Sequence, residues 1–132
     1  MKVQHYRELI VWQKAMQLVK EIYVLTKKLP KEETYGLSSQ MQRAAVSIPS
    51  NIAEGQARAG TKEFVQFLKI ASGSKAELQT QLLICVDVGY LPDSDINTAM
   101  NLSEEIGKML SSLLQKLTTD HSPLITVKKE GK

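Results

Sequence analysis

Cysteine is almost missing from this chain. Cys85 is the only one in 132 residues, which excludes an internal disulfide framework and, with only His5 and His121 at opposite ends, a zinc site. Glycine and proline are scarce, at seven and four, so the chain reads as long segments joined by short connections. Aromatic residues make up 5%, which argues against an ordered reader of single strands built on stacked rings. Long apolar runs are missing too. The longest is "LLICV" at 82–86, against the roughly 20 residues that a membrane span needs. The opening "MKVQHYRELIVWQKA" has no apolar core before a small-residue cleavage site. The expectation is a cytoplasmic protein with no membrane partner, in which the glycosylation triplet Asn101-Leu102-Ser103 is idle.

What is present is charge, unevenly spread. The net charge is +3. Residues 1–75 carry 12 Lys/Arg against 6 Asp/Glu, and residues 76–120 carry 2 against 7. This asymmetry points to an anionic partner for the N-terminal half, and equally to attraction between the two halves of one bundle.

Apolar spacing defines four helical segments. The first runs from about Arg7 to Leu29, with Leu9, Trp12, Met16, Val19, Tyr23 and Thr26 in step and Leu18, Ile22, Leu25 and Leu29 widening the face; Pro30 stops it. The second runs from about Ser38 to Arg58, capped by Ser38 or Ser39 and ended by Gly55 or Gly60. Its apolar side is Leu37, Met41, Ala44, Ala45, Ile48 and Ile52. The third runs from an N-cap at Thr61 to Val88 with Gly89 as its C-terminal glycine. Phe64, Phe67, Leu68, Ala71, Leu78, Leu82 and Cys85 line one side, while Ala71, Gly73, Ser74 and Ala76 permit close helix approach. The fourth is capped by Asp93 or Ser94 and reaches about Leu117, with Ile96, Met100, Ile106, Leu110, Leu113 and Leu117 in register. Residues 121–132 read as a basic, mobile tail behind a single 1–120 domain.

The fold class is therefore all-α, an antiparallel up-down-up-down four-helix bundle. Val65, Ile70, Leu83 and Ile84, with Ala99, Leu102, Met109 and Leu114, exceed what one core stripe needs. The surplus points to an oligomer; scattered surface leucines are the plain alternative.

The stretch "RAAVSIPSNIAEG" (43–55) is unusual. Gln40, Arg43, Ser47, Asn51, Glu54 and Arg58 fall within about 80° of one another on a helix. Pro49 sits on a third face and frees the carbonyl of Ala45, which Ser47 or Asn51 can satisfy in a bent helix. The ridge is a structural network, with Arg43 paired to Glu54 or capping a neighbouring helix, or else a ligand or nucleic-acid surface. Lys75 falls inside the apolar face of the third segment, either snorkelling to the bundle edge or pairing with Glu54 or a neighbouring subunit.

Enzyme signatures fail one by one. "GQARAGTK" (55–62) inverts the Lys-Thr order of a phosphate-binding loop and follows a helix rather than a strand. Cys85 is flanked by apolar residues, and Glu104 and Glu105 are adjacent and point about 100° apart. Neither catalysis nor a cofactor is expected.

The runs "LIVWQKAMQLVKEIYVLTKKLPKEETYGLSSQMQRAAVSIPSNIAEGQAR" and "EFVQFLKIASGSKAELQTQLLICVDVGYL" resemble bacterial four-helix-bundle proteins encoded within intervening sequences of 23S ribosomal RNA genes. "YGLSSQ" followed by "QRAAVSIPSNIAEG" carries most of the likeness. That family is in turn similar to the accessory variability determinant of diversity-generating retroelements. The resemblance implies a ring-shaped homopentamer, RNA or DNA binding through basic surfaces, and a reverse transcriptase partner. It makes Arg43, Ser47, Pro49, Asn51 and Glu54 signature structural positions near subunit contacts. Charge and helical position then select Lys14, Lys20, Lys27, Lys28, Arg58, Lys62 and Lys69 as candidate nucleic-acid contacts. Two functions follow: an oligomeric nucleic-acid-binding protein acting through counterion release, or a structural adaptor whose surplus apolar surface takes a partner helix.

Overall fold

The computed structural model describes residues 5–58 and 60–120. A 3-10 turn at Tyr6–Glu8 leads into α1 (Ile10–Thr26), and another at Lys31–Glu33 precedes α2 (Leu37–Ala57). Then come α3 (Thr61–Asp87), a third turn at Asp93–Ile96, and α4 (Asn97–Asp120). The expected tail, 121–132, lies outside the described residues. No strand occurs among the described residues. Short turns make sequential helices antiparallel neighbours. α1 packs on α2 and α4, and α3 packs on the same two helices, so α1 and α3 sit on one diagonal of a four-helix bundle.

The core draws on every helix. Leu18, Ile22 and Leu25 of α1, Met41, Ile48 and Ile52 of α2, Leu68, Leu78 and Leu82 of α3, and Ile106 and Leu110 of α4 are all fully buried. Each contributes about 1.5–3 kcal/mol by leaving water. The buried hydroxyl of Ser103 donates to the Met100 carbonyl at 2.8 Å and accepts from Gln79 Nε2 at 2.8 Å, so the α3–α4 seam carries a satisfied polar tie.

Five local expectations are corrected. On α1 and at its ends the expected Leu9, Leu18, Ile22, Leu25, Thr26 and Leu29 are buried, together with Val11 and Ala15, whereas Met16 and Tyr23 of the Trp12–Met16–Val19–Tyr23 row stay exposed. Neither Ser38 nor Ser39 caps α2; the Leu37 amide donates instead to Glu33 Oε1 at 2.9 Å, a carboxylate at the positive end of the helix. Gly60, not Thr61, is the N-cap of α3. Gly55 does not end α2 but lies buried inside it, because a Cβ there would stand 2.6 Å from Phe67 Cβ of α3. Gly73, expected to allow close approach, is exposed with nothing within 4 Å.

The end of α3 follows the expected pattern. Gly89 takes φ +84°, a conformation that a Cβ disfavours. Its N–H donates to Val86 and that of Tyr90 to Cys85, at 3.0 and 2.8 Å, which satisfies the last carbonyls in a Schellman arrangement.

Candidate nucleic-acid interface

Long helices carry the basic residues outward, and the bundle then decides which of them stay free. Lys14 of α1 pairs with Glu105 of α4 at 3.4 Å, and Lys28 pairs with Asp95 at 3.2 Å. Arg58 pairs with Glu54 one turn back at 2.8 Å and lies 5.1 Å from the centre of the Phe67 ring. These three candidates are thus engaged within the chain. Lys20, Lys27, Lys62 and Lys69 are exposed and have no carboxylate partner among the described residues. Lys20 stands on α1 and Lys27 caps its C-terminal end, whereas Lys62 and Lys69 stand on α3. Because α1 and α3 are diagonal, the four do not form one patch on a protomer.

The polar ridge of α2 splits into three parts. Glu54 goes to Arg58 rather than to Arg43 or Lys75. Asn51 Nδ2 donates to both the carbonyl and the hydroxyl of Ser47, at 2.8 and 2.9 Å, and the Ser47 and Ser74 hydroxyls meet at 2.9 Å. This pins α2 to α3 about two turns before Gly55, where the helices approach closely. The expected rescue of the Ala45 carbonyl is not what Asn51 does, since its amide reaches Ser47 instead. Pro49 is buried, and α2 runs unbroken through it. It borders a shallow apolar groove of about 310 Å³ with Trp12, Met16 and Val46.

Arg43 neither pairs with Glu54 nor caps a helix. Among the described residues its only hydrogen bond is a long one, 3.5 Å to Ser39 Oγ. It borders a cleft of about 450 Å³ between α2 and α3, whose walls include Ser39, Gln40, Ser47, Ser74 and Glu77. Tyr35 stands at its mouth, 96% exposed. The turn carrying Tyr35 is firmly held. Glu33 Oε1 accepts from Leu37 N–H and its Oε2 accepts from Tyr90 O–H at 2.8 Å, which joins the α1–α2 and α3–α4 turns. The Leu37 amide, and then the Tyr90 hydroxyl, hold the Glu33 carboxyl below its ordinary range. The same hydrogen bond is the main reason the Tyr90 phenol is pushed up. Sequence reading passed over Tyr35 as one letter of a turn. The available signal was an aromatic residue with no apolar partner at helical spacing.

Lys75 crosses the α3–α4 groove over Gly107; a Cβ on that glycine would lie 2.9 Å from Lys75 Nζ and 3.4 Å from Cδ and Cε. It has no ion pair among the described residues, which agrees with snorkelling along an apolar stem. Cys85 is buried, and its thiol is pushed up by that burial and then by the charge of Glu33, so it stays protonated and unreactive at neutral pH. No group of His, Cys, Asp and Glu fit to hold a metal occurs among the described residues. No helix among them is long and apolar enough to cross a membrane.

Comparison with known proteins agrees with the fold. No curated protein matches the chain. A crystal structure of a protein of unknown function from Bacteroides thetaiotaomicron, of the S23 ribosomal protein family, superposes with a TM-score of 0.75 at 26% identity. The match covers 80% of this chain and 99% of that one. The 23S rRNA-intervening sequence protein family matches residues 7–112, which span α1, α2, α3 and most of α4, including the Gly55 contact and the Ser47–Ser74 pin. With helix order, signature stretch and neighbouring structure in agreement, the chain belongs to the 23S rRNA-intervening sequence protein family.

Proposed function

We propose that the protein is a non-enzymatic nucleic-acid-binding protein whose basic surfaces act together in a ring-shaped oligomer, a pentamer by the family resemblance. The observation that carries this reading is the set of exposed lysines without a carboxylate partner, Lys20, Lys27, Lys62 and Lys69. They are split between diagonal corners of the bundle, so one protomer offers only a weak footprint. A ring repeats each pair around its circumference and multiplies the counterions released on binding. Ile70, Leu83, Ile84 and Val88 supply exposed apolar surface along α3 and its C-terminal end, which supports contact between copies. The assembled surface is also what a reverse transcriptase, implied by the retroelement resemblance, would engage.

The test is fluorescence anisotropy of nuclease-treated protein with labelled RNA and DNA at two salt concentrations. Binding is expected to weaken steeply with salt, and charge reversal at Lys20, Lys27, Lys62 and Lys69 to abolish it. Absence of binding at low salt overturns the reading. It would favour an adaptor instead, for which the α1–α2 groove of Trp12, Met16, Val46 and Pro49 offers a seat for a partner helix.

A further inference from the structure

The cleft between α2 and α3 differs in kind from the lysine-bearing corners. It combines three features that occur together nowhere else among the described residues. Tyr35 presents an almost bare ring, 96% exposed, on a turn that Glu33 holds at two points. An exposed aromatic ring on a fixed turn gives up water on one face at little conformational cost when a flat partner stacks on it. Arg43 offers a guanidinium with no carboxylate partner among the described residues and only a 3.5 Å contact to Ser39. Its planar fork suits a phosphate better than a lysine does. Between them the wall supplies small polar groups, Ser47 and Ser74 among them. If Ser47 accepts from Asn51 and donates to Ser74, the Ser74 proton is left for the cleft.

The charges are ordered. Ser47 meets Ser74, and α2 runs antiparallel to α3. Arg43, one turn before Ser47, and Glu77, one turn after Ser74, therefore lie on the same side of that contact, towards the Tyr35 turn. Glu77 forms no ion pair among the described residues and accepts a hydrogen bond from the buried Gln81 amide at 3.4 Å. A ligand there needs an anionic group for Arg43 and donors for Glu77, together with a flat apolar face for Tyr35. A plain phosphate lacks the last two, and an apolar helix lacks the first. A nucleotide has all three: phosphate, ribose or base N–H and O–H groups, and the base itself. The cleft, about 450 Å³, lies within the usual 300–1,000 Å³ of small-ligand sites.

We infer that the Tyr35–Arg43 cleft is a binding site for one nucleotide unit, with the base stacked on Tyr35, the phosphate on Arg43, and Glu77 accepting from the sugar or base. The inference rests on the nucleic-acid reading above and narrows it to one unpaired position. A duplex would not serve, because its bases are already stacked.

The experiment titrates the intact protein with a labelled single-stranded oligonucleotide. Its duplex, a nucleoside monophosphate and inorganic phosphate serve as competitors. The single strand is expected to bind more tightly than the duplex. Tyr35→Ala should weaken strand binding by about tenfold without changing its salt slope, and Tyr35→Phe should retain it. Arg43→Ala should weaken binding and lower the slope by about 0.7, one phosphate's share on a single strand. Glu77→Leu should weaken binding, through the lost acceptor, by less than Arg43→Ala. Tyr35 and Arg43 are exposed, so these variants leave folding intact, checked by helical circular dichroism. Competition by the nucleoside monophosphate identifies a free nucleotide as a ligand; its absence beside tight strand binding identifies the strand. Inorganic phosphate competing as well as either overturns the role of Tyr35. Strand binding equal in wild type, Tyr35→Ala and Arg43→Ala overturns the site and leaves the lysine-based reading standing. No binding to strand, duplex or monophosphate overturns both.

Discussion

Gly55 of α2 and Gly107 of α4 each give way to a residue of α3, but what they give way to differs. At Gly55 the nearest atom to an added Cβ is Phe67 Cβ at 2.6 Å, with Phe64 Cδ1 at 3.1 Å. A Cβ is fixed to its backbone, so relief requires one helix to move. At Gly107 the nearest atom is Lys75 Nζ at 2.9 Å, the end of a long flexible side chain that reaches water. The first glycine sets the distance between two helices, and the second opens a channel for a charged group. Sequence alone offers Gly55 as a possible helix end and gives no hint of the difference.

Substitution should separate them. Gly55→Ala is expected to have the largest effect, a loss of about 2 kcal/mol from forced separation of α2 and α3, even after the gain of up to about 1 kcal/mol in helix propensity. The loss should extend to the Ser47–Ser74 pin, which needs the same approach. Urea unfolding followed by circular dichroism measures it. An alanine variant as stable as the wild type would show that the α2–α3 seam can open at no cost, and would dissolve the contrast.

Gly107→Ala is expected to do less, and in the opposite direction. Lys75 has no ion pair to lose within the described chain and can swing towards solvent, so the gain in helix propensity of about 0.5–1 kcal/mol should show. A loss above about 1 kcal/mol, which is an overpacking cost, would mean that Lys75 is held as firmly as Phe67.

How much of this was legible follows from the kind of signal each feature leaves. Helix number and order were readable because apolar residues repeat over many turns, and the inward faces of α2 and α3 followed from the same repeat. On α1 and at its end the expected Leu18, Ile22, Leu25 and Leu29 do face the core, and only Met16 and Tyr23 of the other row do not. Trp12, Met16, Val19 and Tyr23 step as regularly as Val11, Ala15, Leu18 and Ile22, and only packing shows that the row containing the small Ala15 faces the core. The cap of α2 was missed because Glu33 lies four residues before the amide it meets, outside the usual Ser/Thr capping pattern. Of the seven basic candidates, three prove to be ion-paired, two of them with partners on other elements far along the chain. Such pairing depends on the bundle and leaves no local trace. The polar ridge was legible as a ridge, but the cleft needs Tyr35 and Glu77 as well, which only the folded turn and α3 bring beside it.

The smallest effect expected is that of Lys75→Leu, and it bears most directly on why a charge crosses an apolar seam. The lysine stem already covers apolar surface beside Gly107, and leucine would keep most of that contact while losing the ammonium. With no carboxylate within pairing distance in the described chain, nothing is left unpaired by the change. The stability of dilute protein should therefore stay within about 0.5 kcal/mol of the wild type. A loss of about 3 kcal/mol or more would instead mark a broken buried pair. If that loss grows with protein concentration, the missing carboxylate belongs to a second copy, because only the assembled form would then contain the pair. If it does not, Glu104, which borders the same groove, is the partner to replace next. In the double-mutant cycle a genuine Lys75–Glu104 pair would appear as a coupling energy, and a snorkelling lysine would show none.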